Sequence, residues 1–80
     1  MTYLWQTGRG SKSYRIQTDN RKVKDKLNRR NKFRLGAYSL THELWIYSCE
    51  FKRPDIAKKV LKSVTRVNPQ IDSEGVIFYE

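Results

Sequence analysis

Cysteine is nearly absent: Cys49 stands alone among the 80 residues, so no internal disulfide can form. Histidine is equally rare, with only His42, and no Cys/His cluster has the spacing of zinc ligands. Long apolar runs are missing as well. No stretch approaches the ~20 residues needed to span a bilayer, and the opening MTYLWQTGRG lacks the apolar centre of a secretory signal. These absences lead us to expect a soluble protein of a reducing, cytoplasmic compartment. Acidic residues number eight against seventeen Lys and Arg. They are scattered, and no two are spaced for paired acid–base work or two-metal binding. His42 has Glu43 beside it but no nucleophile nearby in sequence. The expectation is a protein that is not an enzyme and has no metal site and no cofactor.

What is present is enough for a core. Hydrophobic residues make up 38% of the chain and aromatics 12%, too many for wholesale disorder. A chain of this length forms one domain, residues 1–80, with a small core and modest stability.

The net charge of +9 is unevenly placed. Residues 9–34 hold eleven Lys or Arg and two Asp, which already accounts for +9, and the other residues balance six against six. Asymmetry of this kind points to an anionic partner, because evenly spread charge would serve solubility alone.

Residues 2–7 (TYLWQT) and 13–18 (SYRIQT) alternate and are rich in β-forming types, and GRGSK between them reads as a hairpin loop carrying Arg9 and Lys12. TGRGSK is not a phosphate loop: the spacing between its glycines fails, and a strand follows where a helix should begin. A helix is expected over 19–31, capped by Thr18 or Asp19. On a helical wheel Val23 and Leu27 mark its buried side and Arg21, Lys22, Asp25 and Arg29 its outer side, with Lys24, Lys26 and Arg30 on the flanks. Two apolar residues make a thin stripe, so the flanking basic stems should cover part of the core. Residues 33–40 and 43–51 read as strands joined by the turn 40–43. Residues 53–67 form the clearest helix, with Pro54 at its first position, Ile56, Ala57, Val60, Leu61, Val64 and Val67 on one side, and Asn68-Pro69 ending it. Residues 75–80 form a last strand.

The order β–β–α–β–β–α–β predicts a small α+β domain. It is a ferredoxin-like βαββαβ unit with an extra N-terminal strand, both helices packing on one face of an antiparallel sheet. The alternative leaves the first hairpin as a separate small sheet. Strand alternation puts Tyr14, Ile16, Leu35, Ala37, Trp45, Tyr47, Cys49 and Phe51 on the helix side. The open side should then show Arg15, Gln17, Arg34, Gly36, Tyr38, Leu44, Ile46, Ser48 and Glu50. LWIYSCEF occupies the place of an RNA-recognition-motif signature strand but lacks the basic-Gly-aromatic-Gly opening of that signature. Its rings are expected in the core, which makes Tyr38 a better stacking candidate than Trp45.

Asp25 can pair with Arg21 and Arg29 along the helix, and Arg29 and Arg30 suit the helix C-terminus. That leaves Lys22, Lys24, Lys26 and Lys32 without internal partners, and Arg9, Lys12, Arg15 and Arg34 add to the excess. The expectation is nucleic-acid binding, DNA or RNA, through Arg9, Lys12, Arg15, Arg21, Lys22, Lys24, Lys26, Arg29, Arg30, Lys32 and Arg34, with Tyr38 as the stacking ring. The alternative is an interaction module or inhibitor docking on an acidic protein, a role that viral and mobile-element genomes often encode. A homodimer through the open face is a further expectation if Tyr38, Leu44 and Ile46 form one apolar patch. Membrane binding is not expected, because the first helix has too narrow an apolar face and the core needs that of the second.

Overall fold

The computed structural model describes Met1–Glu80. Its elements are β1 (Thr2–Gln6), β2 (Ser13–Thr18), α1 (Arg21–Asn28), β3 (Arg34–Ser39), β4 (Leu44–Glu50), α2 (Pro54–Thr65), β5 (Gln70–Ile71) and β6 (Ile77–Tyr79). The strands form one six-stranded sheet in the order β3-β4-β2-β1-β6-β5. Every neighbouring pair is antiparallel. Both helices pack on one face, so the domain is α+β. The segment β2–α1–β3 is a split βαβ unit, with β4 inserted between two strands of the same direction. The first hairpin belongs to the main sheet, where β1 lies between β2 and β6. The two-residue β5 is an addition that the sequence pattern did not show.

The core is a cluster of thirteen buried residues. The strands supply Leu4, Tyr14, Ile16, Tyr47, Cys49 and Tyr79, α1 supplies Val23 and Leu27, α2 supplies Ala57, Leu61 and Val64, and the linking segments supply Phe33 and Phe51. Ile56, Val60 and Val67 pack at its margin, as the helical spacing of α2 requires. Phe51 joins two aromatic contacts, edge-on to Tyr14 at 5.7 Å and tilted against Phe33 at 6.2 Å. One buried polar pair sits inside: the hydroxyls of Thr2 and Thr18 lie 2.8 Å apart across β1 and β2.

α1 starts later than expected because its cap is Asn20, whose Oδ1 accepts from the backbone N–H groups of Lys22 and Val23 at 2.9 and 3.3 Å, and it ends earlier, with Arg29 as its C-cap. Thr18 is instead held in the sheet, and the Asp19 carboxylate pairs with the N-terminal ammonium. The thin apolar stripe is supplemented from both flanks. Lys24 Nζ lies 5.0 Å from the Trp45 ring centroid, and Lys26 Nζ donates to the Val64 carbonyl at 3.1 Å. The Tyr47 hydroxyl ties the helix to the sheet by donating to Asn28 Oδ1 at 2.6 Å. At two turns the backbone enters the left-handed region at glycine, Gly10 with φ 73° and Gly75 with φ 84°, where a Cβ would be strained.

β3 departs from simple alternation. A bulge at Gly36 shifts the register, so that Leu35 faces Tyr47 but Ala37 faces Ile46 and Tyr38 faces Trp45. Cross-strand partners point to the same side of a sheet. Ala37, expected inside, therefore lies on the open face. Tyr38, expected on the open face, lies on the helix side beyond the reach of α1, 61% exposed. Leu35 faces the helix side as expected but remains 45% exposed at the sheet edge.

Candidate nucleic-acid interface

Chain direction sorts the charges. β2 starts at the end of the sheet where β4 finishes and β3 begins, with Ser13 opposite Glu50 and Arg34 opposite Ser48. α1 leaves from Thr18 at the far end and returns the chain to Arg34. The 7–12 loop, the 29–33 link and the 51–53 link therefore meet at one end of the β3-β4-β2 half. The Phe51 N–H donates to the Lys12 carbonyl at 2.9 Å, which joins two of these segments directly. This end carries Arg9, Lys12, Arg29, Arg30, Lys32, Arg34, Lys52 and Arg53.

Two adjoining grooves give the cluster its shape. One is lined by Asn31, Lys32, Arg34, Ser48, Cys49 and Glu50. The other is lined by Lys12, Lys32, Glu50, Phe51 and Lys52. Lys32 is common to both, and its Nζ lies 4.2 Å from the Phe51 ring centroid. Glu50 is the one acid in these grooves and forms no ion pair. Asp55 lies at this same end and is paired with Arg53 at 3.3 Å. Asp19 and Glu43 lie at the opposite end, paired with the N-terminus and with Arg21, and the 72–76 turn, with Asp72 and Glu74, lies at the β5–β6 side of the sheet, across β1 and β2 from the grooves.

The expected basic residues therefore divide. Arg21 is tied to Glu43, and Lys24 pairs with Asp25 at 3.0 Å while lying over Trp45. Asp25 thus pairs with its chain neighbour; the expected partners Arg21 and Arg29 are not within ion-pair distance. Lys26 is turned to a carbonyl of α2. Arg9, Lys12, Arg15, Lys22, Arg29, Arg30, Lys32 and Arg34 have no ion-pair partner. Lys22 projects from the first turn of α1, away from the grooves. Lys52 belongs to the cluster but lies outside residues 9–34, where the sequence concentrates its positive charge.

The open face of the sheet is more aromatic than its pattern suggested. Register aligns Arg34, Ser48, Arg15 and Trp5 in one row across β3, β4, β2 and β1. A second row runs Ala37, Ile46, Gln17, Tyr3, Phe78 and Gln70. Tyr3, Trp5 and Phe78 are half-buried on this helix-free side, and the Tyr3 and Phe78 centroids are 6.5 Å apart. None of the three was picked out from sequence. The available signal was the alternation in TYLWQ: once Leu4 is assigned to the core, Tyr3 and Trp5 must face the other way. Tyr38, the expected stacking ring, lies on the opposite side with Trp45, so Tyr38, Leu44 and Ile46 form no single patch.

Cys49 is buried, and burial pushes its thiol up to about 11 despite the opposing influence of Lys32 and Arg15. At neutral pH it is a protonated, inert core residue. No three His, Cys, Asp or Glu side chains come together in a group that could hold a metal ion. No helix is long and apolar enough to cross a membrane. No family model, curated protein or solved structure matches this chain.

Proposed function

We propose that this protein is a small nucleic-acid-binding accessory protein that holds phosphates at the cationic end of its sheet, largely without reading sequence. One observation carries the reading: Lys12, Lys32, Arg34 and Lys52 line two joined grooves in which Glu50 is the one opposing charge. Like charges gathered this closely repel one another, and a polyanion offsets that repulsion while releasing its own counterions. The pairing of Asp19 and Glu43 at the opposite end of the sheet, and of Asp55 with Arg53 beside the grooves, supports it further, because Glu50 is the one unpaired acid that an approaching phosphate chain meets there. The residues best placed for contact are Arg9, Lys12, Arg29, Arg30, Lys32, Arg34 and Lys52. Arg21, Lys24 and Lys26 are engaged internally and contribute less.

The triple variant Lys12→Glu, Lys32→Glu, Arg34→Glu tests the reading, with Lys59→Glu, Lys62→Glu, Arg66→Glu, exposed on α2 and its C-cap, as the charge-matched control. The groove variant should lose at least tenfold in affinity for a labelled oligonucleotide. Its log K against log salt slope should flatten by roughly two, since each lost phosphate contact removes about 0.7–0.9. The control should bind nearly as the native chain does. Equal losses in both variants would mean that net charge alone matters and that the grooves are not the site. If the native chain binds no nucleic acid at low salt, the same surface is left to an acidic protein partner.

A further inference from the structure

We infer that the open sheet face is a base-stacking platform, and that the nucleic acid this protein takes is single-stranded. The inference rests on the phosphate-binding reading above and adds the substrate class. Tyr3, Trp5 and Phe78 stand on the face that no helix covers; Trp5 shares a cross-strand row with Arg15 and Arg34, two arginines that have no ion-pair partner, and Tyr3 and Phe78 lie in the adjacent row. Trp5 is the direct cross-strand neighbour of Arg15. Tyr3 and Trp5, two residues apart on one strand, are spaced about 7 Å along it. From Arg34 to Trp5 the row crosses three strand spacings, about 14 Å. A strand of nucleic acid lying along this row meets cations at the β3 end and rings at the β1 end. Charge complementarity with the adjoining grooves makes the occupant an anionic polymer, and the rings add a contact that only an unpaired base can make. In a duplex the base faces are already stacked on one another and closed to side chains.

The rival arrangement lays the outer side of α1 in the major groove of a duplex. Two features oppose it. Arg21 is held by Glu43 at one end of that side, and Asp25 places a carboxylate in its middle, where it would face phosphates and base edges. Neither cross-strand row of the sheet face holds an acid, and Glu50 sits at its margin beside Ser13.

The test compares the native chain with Trp5→Ala, Phe78→Ala and the ring-preserving Trp5→Phe on single-stranded and duplex DNA of equal length. Trp5→Ala should weaken single-strand binding about fivefold or more, because base–aromatic stacking is lost. The salt slope should not change, since no phosphate contact is removed, and Trp5→Phe should bind close to the native chain. A second readout leaves Trp5 itself in place. In a Trp45→Phe background Trp5 is the sole indole, and saturation with oligo-dT should quench its emission. If Trp5→Ala and Phe78→Ala bind like the native chain while the groove variant has lost affinity, phosphate binding stands and stacking is overturned. An unquenched Trp5 at saturation also overturns stacking. If the native chain binds neither form of DNA nor RNA at low salt, both readings fail together.

Discussion

Cys49 shows how little of this protein's chemistry can be read from residue type alone. A lone thiol beside Lys32 and Arg15 has two cations that favour the thiolate, yet burial outweighs them and holds the group near 11. The consequence is a pH dependence of stability with a fixed sign. In the unfolded chain the thiol ionises at its ordinary value of 9.0, and in the folded chain only at about 11. The stability this group supplies is complete below 9 and is lost as pH rises through that interval, because only the unfolded state readily releases the proton. Tyr79, pushed up to about 12 by burial, and Tyr47, raised by burial and then by Asp25, extend the decline at higher pH. Urea unfolding at one-unit steps from pH 7 to 12 should show a plateau and then a fall starting near 9 in the native chain. In Cys49→Ala the fall should start only where the tyrosines ionise. Parallel curves for the two proteins across that interval would contradict the assignment.

α1 has eight residues, too few to persist without tertiary support. Its stability comes from the Asn20 cap, from Val23 and Leu27 in the core, and from Lys24 and Lys26 folded against the flanks. Asn20→Ala should lower unfolding stability by about 1 kcal/mol, and amide exchange should quicken in α1 well before α2. Asn20→Asp should retain the cap. If Asn20→Ala leaves α1 protection unchanged, Thr18 or Asp19 can take over the cap. Much of the fold was legible at this scale. The spacing in 53–67 marked the buried side of α2, and the Val23–Leu27 pair marked that of α1, because helix burial follows a fixed period. The strands of the first hairpin and of β3–β4 were legible for the same reason. Two features were not. β5 is two residues long and has no period to detect, and the bulge at Gly36 leaves no pattern of its own while reversing the side of every residue after it. Tyr38 was misplaced for that reason, and with it one member of the candidate site. The opposite error hid Tyr3, Trp5 and Phe78. Alternation about Leu4 carried the side of Tyr3 and Trp5, but that Phe78 joins them depends on the pairing of β1 with β6, and that is a property of the sheet.

At the scale of the whole molecule, the excess of positive charge in residues 9–34 becomes a spatial polarity only because three chain segments meet at one end of the sheet. Contributions from outside that stretch, Lys52 above all, complete the cluster, and Arg21 and Lys24, from inside the stretch, lie apart from it in pairs with Glu43 and Asp25. The most direct measurement is fluorescence anisotropy with labelled single-stranded DNA, duplex DNA and RNA of equal length, each at about 50 and 200 mM salt, a range over which phosphate contacts lose much of their affinity. The account predicts micromolar or tighter binding to the single strands and weaker binding to the duplex. With about five phosphates held, the single-strand log K should fall with log salt at a slope near −3.5. Binding that is absent at low salt, or present but insensitive to salt, would contradict it.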